Sequence, residues 1–177
     1  MKLCMFHPID HPLERGWVGR VEDDHVVQLA AQTLQSFFTG GGTAREHAAF
    51  RLADVVLLAP VLHPPAVRLF DDGRTFEFGN PAAVVGPDAA IDARTTLEVR
   101  PRLAAVVAAE GVIGGYTLCA DWRRDEPPPK DRDFALGLGP VVVTPDELTA
   151  RSEVVVRVDG DERLRRALPS FDWTSPG

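Results

Sequence analysis

The chain has 177 residues, which fits one domain, or one domain with a small appendage. Nineteen Lys and Arg against 26 Asp and Glu leave a net charge of −7, the wrong sign for a surface that reads nucleic-acid phosphates. The apolar, uncharged stretch at residues 55–67 holds three prolines and falls short of the ~20 apolar residues that cross a bilayer, and the apolar run before Pro8 is too short for a signal peptide. The expectation is a cytoplasmic protein with neither membrane nor nucleic acid as partner.

Short apolar runs at residues 2–6 and 15–21, with Glu22-Asp23-Asp24 as a polar turn before His25-Val26-Val27, predict a meander of strands. From Val27 onward, Val27, Ala30, Ala31, Leu34, Phe37 and Phe38 recur with helical spacing, so a helix is predicted over 27–38, stopped by Gly40-Gly41-Gly42. That glycine run lacks the Lys-Ser or Lys-Thr of a phosphate cradle. A second short helix is expected over 46–52, followed by an apolar run at 54–59 that Pro60 closes. Beyond it, residues 82–85, 102–109, 115–120, 141–144 and 154–158 read as strands between Gly and Pro turns, a β-rich body with a mixed or antiparallel, rolled sheet. Asp125-Glu126-Pro127-Pro128-Pro129-Lys130-Asp131 reads as a stiff polar loop.

Several chemistries have no residues to carry them. None of the four serines sits in G-x-S-x-G, which removes a serine-hydrolase elbow. His7 and His11 are four apart, but Pro8 and Pro12 preclude the helix that would align them for a metal. Cys4 and Cys119 stand alone and read as small buried thiols.

Order and spacing of longer motifs say more. The Met-Lys-Leu start, Gly16-Trp17-Val18-Gly19, Val26-Val27-Gln28-Leu29-Ala30 and Val55-Val56-Leu57-Leu58-Ala59-Pro60-Val61 are followed by Asn80-Pro81-Ala82-Ala83-Val84-Val85-Gly86-Pro87 and Gly115-Tyr116-Thr117-Leu118-Cys119-Ala120-Asp121. Lys130-x-x-Asp133 then leads into Leu138-Gly139-Pro140 and Val143-Thr144-Pro145-Asp146-Glu147-Leu148. In this order the motifs resemble the fumarylacetoacetate hydrolase family. The resemblance implies an α+β, β-rich fold: a mixed β-roll or barrel, incomplete at its C-terminus, with a small N-terminal α+β lobe over residues 1–60 and the β-rich domain over 61–177. It also implies a homodimer, or a heteromer with a family paralogue. Phe171-Asp172-Trp173 supplies apolar residues to cover the edge that a short C-terminus would leave.

In that family a Glu-x-Glu pair and a later Asp hold Mg²⁺ or Ca²⁺, which polarises the oxygens of a small oxo-acid. Matching Leu103-Ala104-Ala105-Val106-Val107 to the family strand puts Arg100 and Arg102 at the Glu positions and leaves only Asp121. A shift of two residues returns Glu98 to one ligand position but breaks that match. Residues i and i+2 of a strand share a face, so both guanidinium groups are expected in the former metal site, with no metal and no cofactor there. Asp121 is expected to pair with one of them.

The family's His and Glu pair is also missing. Ala66-Val67-Arg68-Leu69-Phe70 runs into Asp71-Asp72-Gly73-Arg74, a hairpin-turn sequence. Lys130, by resemblance, binds or polarises the substrate carboxylate. Two readings stay open. One is a degenerate, metal-free family member acting as an anion-binding or partner subunit. The other is a metal-independent isomerase, decarboxylase or hydrolase of a small β-dicarbonyl or 2-oxo acid, with Arg100 and Arg102 binding substrate and Lys130 and Asp121 catalytic.

Overall fold

A computed structural model describes residues 1–71, 74–92, 95–148 and 152–168. Asp72, Gly73 and the Phe171-Asp172-Trp173 segment therefore lie outside the described residues.

The chain opens with an antiparallel meander, β1 (Lys2–Pro8), β2 (Trp17–Glu22) and β3 (His25–Leu29). One helix follows, α1 (Leu34–Thr39), then β4 (Glu46–Arg51) and β5 (Val55–Leu57). Two expectations are corrected here. The helix predicted from Val27 begins only at Leu34: Val26 and Val27 are taken by ladders to β2 on one side and β4 on the other, which an isolated first turn of helix could not match. Thr33 then caps the helix, its hydroxyl accepting from the Ser36 amide while Ser36 Oγ accepts from the Thr33 amide. Likewise, of the residues expected as a helix over 46–52, 46–51 form a strand, because β3 offers a free edge that this segment closes. The stop at the glycine run is as expected, with Gly41 at φ +84° and Gly42 at φ +72°, which glycine adopts without a Cβ penalty.

Next come β6 (Val67–Phe70) and β7 (Phe76–Gly79), a separate antiparallel pair, and β8 (Val84–Val85). The long pair β9 (Leu97–Val107) and β10 (Ile113–Arg124) extends the two strands read at 102–109 and 115–120 at both the 97 and 124 ends. β11 (Leu136–Leu138), β12 (Val141–Val143) and a second separate hairpin, β13 (Glu153–Val158) with β14 (Asp161–Ala167), complete the described strands.

Ten strands form one sheet, ordered β4-β3-β2-β1-β12-β10-β11-β8, with β5 also on β1 and β9 on β10. The sheet curls into a half-barrel and crosses the residue-60 boundary, since β1 pairs with β12 at Lys2↔Val143 through Cys4↔Val141. Gly115 permits this closure: a Cβ there would stand 2.6 Å from the Val143 carbonyl oxygen.

β1 is buried on both faces. Leu3 and Met5 pack with Val18, Leu34, Phe37 and Val142 beneath α1, while Cys4 and Phe6 pack with Val26 and Val55 on the other side. A third cluster, with Ala59, Leu69, Val84, Cys119, Leu136 and Leu138, lies beside Asp121 and holds β6 and β11 against β10. Among the described residues no helix is long and apolar enough to cross a membrane.

Candidate functional site

Asp121 sits near the C-terminal end of β10, opposite Arg100 in the register with β9. It is 1% exposed. Strand alternation puts Cys119, Asp121 and Arg123 of β10 on one face with Glu98, Arg100 and Arg102 of β9.

On that face Asp121 is saturated. Arg123 grips it bidentately, Nε donating to Oδ1 at 3.1 Å and Nη2 to Oδ2 at 2.8 Å, and Arg102 Nε donates to Oδ2 at 2.8 Å. Every nitrogen of both arginines is engaged as well. Arg102 Nη1 donates to the Phe70 carbonyl at 2.8 Å and Nη2 to Asp71 Oδ1 at 2.6 Å, while Arg123 Nη1 donates to Asp131 Oδ2 at 3.0 Å. Asp131 also accepts from Arg132 Nε at 3.2 Å, and Arg132 Nη1 pairs with Glu77 on β7. The result is a ladder of alternating charge, Asp71–Arg102–Asp121–Arg123–Asp131–Arg132–Glu77, that ties the β6–β7 hairpin and the loop after β10 to the sheet.

The electrostatics follow from this geometry. Burial alone would lower the pKa of Arg102 and of Arg123, but hydrogen bonds and the charges of their carboxylates outweigh it, and both guanidinium groups stay firmly protonated. Hydrogen bonding to Arg102, with its charge, holds Asp71 below the usual carboxylate value. Burial, reinforced by the charge of Asp121 and opposed by Arg102, pushes the Cys119 thiol up to about 12, so it is no nucleophile at neutral pH.

The depressed Asp71 carries a prediction of its own. Because its folded-state pKa lies below the unfolded one, the stability it contributes is complete above the ordinary value of 3.8 and is lost as pH falls through the lower folded value. Asp71→Asn is expected to flatten the acid limb of a Tm-against-pH profile below about pH 4 and to leave the neutral region little changed. An acid limb identical to that of the parent protein would disprove it.

Of the residues singled out in the sequence, Arg102 and Asp121 come together and the other two do not join them. The expectation that both guanidinium groups enter the site is corrected for Arg100. Its Nε donates to Glu98 Oε1 at 2.9 Å, and its side chain is about half exposed. The reason is competition, since Arg102 and Arg123 already occupy both oxygens of Asp121. Lys130 is exposed at the start of a 3-10 turn, Lys130–Arg132, while the next two residues turn inward to the ladder. Arg123, Asp131 and Arg132 escaped the sequence reading. For Arg123 a signal existed: Asp121-x-Arg123 has the same i, i+2 strand spacing that singled out Arg100 and Arg102.

A divalent cation of the kind implied above takes about six oxygen ligands. Here Asp121 offers no free oxygen, two guanidinium groups flank it, and the described residues contain no group of three or more His, Cys, Asp or Glu side chains placed to hold a metal ion. The donor set does not fit such an ion.

Neither a family sequence model nor a curated protein sequence matches the chain. Solved structures do. Maleylpyruvate hydrolase from Sphingobium sp. SYK-6 superposes with a TM-score of 0.74 at 18% identity, covering 94% of this chain and 76% of that one. The same hydrolase in complex with manganese(II) and pyruvate gives 0.71 at 19% identity over 94% and 76%. A 2-keto-3-deoxy-D-arabinonate dehydratase complexed with magnesium and 2,5-dioxopentanoate gives 0.66 at 18% over 95% and 76%. With its curled half-barrel, its order of motifs and these neighbours, the chain has the fumarylacetoacetate hydrolase-like fold.

Proposed function

We propose that this chain is a protein of the fumarylacetoacetate hydrolase-like fold that does not carry out divalent-cation chemistry at Asp121 and acts as a non-catalytic, partner-binding subunit. The observation that carries this reading is the saturation of Asp121, whose oxygens both accept from Arg102 and Arg123. A carboxylate so engaged would have to shed two charge-assisted pairs before it could coordinate a cation, and the cation would then face two like charges. The same geometry argues against an anion pocket built on Arg102, because all three of its nitrogens already donate to protein acceptors. A partner role draws support from the outer face of the β6–β7 hairpin. There Phe70, Phe76 and Phe78 are 50%, 42% and 72% exposed, with Phe76 tilted against Phe70 at 5.5 Å and edge-to-face with Phe78 at 5.2 Å between ring centroids, an apolar face of the kind that protein contacts cover.

Manganese binding followed by electron paramagnetic resonance tests the proposal. The expected result is no stoichiometric site with Kd below about 1 mM, the same as for Asp121→Asn. A single tight site abolished by Asp121→Asn would refute it. Turnover of a β-dicarbonyl or 2-oxo acid that survives a chelator and is lost in Arg102→Ala would instead establish the metal-independent enzyme.

A further inference from the structure

The opposite face of the β9–β10 pair is apolar and only partly covered, a feature independent of the function proposed above. The register puts Leu118 and Trp122 of β10 beside Leu103 and Val99 of β9, on the side away from Asp121. β10 has strands on both of its edges, yet Leu118 is 51% exposed, and Pro101 on β9 is exposed as well. The β13–β14 hairpin pairs with no other strand, and its register puts Val154, Val156 and Leu164 on one face. Two cavities, of about 370 and 360 Å³, lie between this face and the β9–β10 pair. Two apolar surfaces thus face each other across a gap that neither fills.

The chain itself leads into that gap. The Leu168 amide donates to the Ser152 carbonyl at 2.8 Å, the last hydrogen bond beside β14, and Leu168 lines the smaller cavity together with Pro101, Leu103, Val154 and Leu164. The described chain ends there. Pro169 comes next and has no N–H with which to continue the ladder, so the sequence directs the following residues away from β13. Within residues 169–177 stand two aromatic side chains, Phe171 and Trp173, at the i, i+2 spacing that puts both on one side of an extended segment. Reach is sufficient: five extended residues from Leu168 to Trp173 span up to about 17 Å, whereas Leu103 and Leu118 lie on neighbouring strands about 4.8 Å apart. Charge permits it too. Asp172 is the only charged side chain in 169–177, and among the described residues neither cavity has an Asp or Glu in its lining.

We propose that residues 169–177 of the same chain occupy this groove, with Phe171 and Trp173 laid against Leu103, Leu118 and Pro101 beneath the β13–β14 hairpin. Each ring removes on the order of 150–250 Å² from water when it is covered, which offsets the ordering of a short segment already anchored at Leu168. The segment would then hold the hairpin onto the sheet, joining two bodies that share no backbone ladder.

The test is ¹⁹F NMR of the full chain carrying 5-fluorotryptophan at its three tryptophans, with the Trp173 resonance assigned by Trp173→Phe. In the parent protein that resonance is expected to stand apart from the position of the free amino acid and to lose most of its H₂O-to-D₂O isotope shift. Leu118→Asp, a change at an exposed site, is expected to return it to the free position with a full isotope shift, while the Trp17 resonance stays in place and reports an intact fold. Phe171→Ser is expected to have the same effect without touching the groove wall. A Trp173 resonance at the free position in the parent protein, or one that neither variant moves, would overturn the proposal. So would a displaced resonance that collapses to the free position on dilution, since the segment would then be seated on a second copy.

Discussion

Asp121→Asn is expected to destabilise the protein by about 3–5 kcal/mol, because it removes the one negative charge between two guanidinium groups and leaves them facing each other out of water. At roughly 2–4 °C per kcal/mol for a chain of this size, the expected fall in Tm is on the order of 10 °C. The side chain keeps its shape, so no packing change confounds the loss. Thermal unfolding at neutral pH and low salt measures it. A drop below about 1 kcal/mol would mean that Arg102 and Arg123 reach water freely and that the ladder is a surface ornament. A companion variant separates charge from mere contact. Replacing Asp121 and Arg123 together by Leu and Met is expected to recover part of the loss, since a buried ion pair exchanged for apolar side chains of similar volume is often neutral. The ladder is thus read as a device that fixes the β6–β7 hairpin and the loop after β10 in one arrangement.

Phe6→Ala is expected to cost about 3–5 kcal/mol, the range for deleting a buried aromatic ring and leaving a cavity. Phe6 is fully buried in the middle of β1, with its ring edge-on to Trp17 at 5.9 Å and to Phe50 at 5.5 Å, so its loss removes two aromatic contacts as well as the transfer energy. Phe78→Ala is the matched control: the same deletion at a residue 72% exposed is expected to shift stability by less than about 0.5 kcal/mol. Denaturant titration of the two variants reads the contrast directly. If Phe78→Ala cost as much as Phe6→Ala, its face would already be covered in solution, and the concentration dependence of the midpoint would show by how many copies.

The β-rich class and the identity of the fold were legible in the sequence for a definite reason. β-branched and aromatic residues cluster in short runs between Gly and Pro turns, and motifs such as Gly115-Tyr116-Thr117 and Leu138-Gly139-Pro140 mark places where strands approach closely or reverse. Segments whose fate depends on a neighbour were misread. The helical spacing starts at Val27, and residues 46–52 look like a short helix, but 27–29 and 46–51 lie where β2, β3 and β4 complete each other's ladders. Periodicity reports which face is apolar and does not report whether a free sheet edge is waiting for the segment.

The sequence by itself determined that arginines share the strand face of Asp121, since residue identity along a strand sets the charge on each face. Only the tertiary structure decided which arginines reach the carboxylate. Arg100 lies directly opposite Asp121 yet turns to Glu98, while Arg123, two residues along the same strand, takes the bidentate position and Arg102 takes the diagonal one. That choice belongs to the fold because a guanidinium group settles where each of its nitrogens finds an acceptor at once. For Arg102 those acceptors, the Phe70 carbonyl and Asp71, come from a hairpin some thirty residues away in the chain.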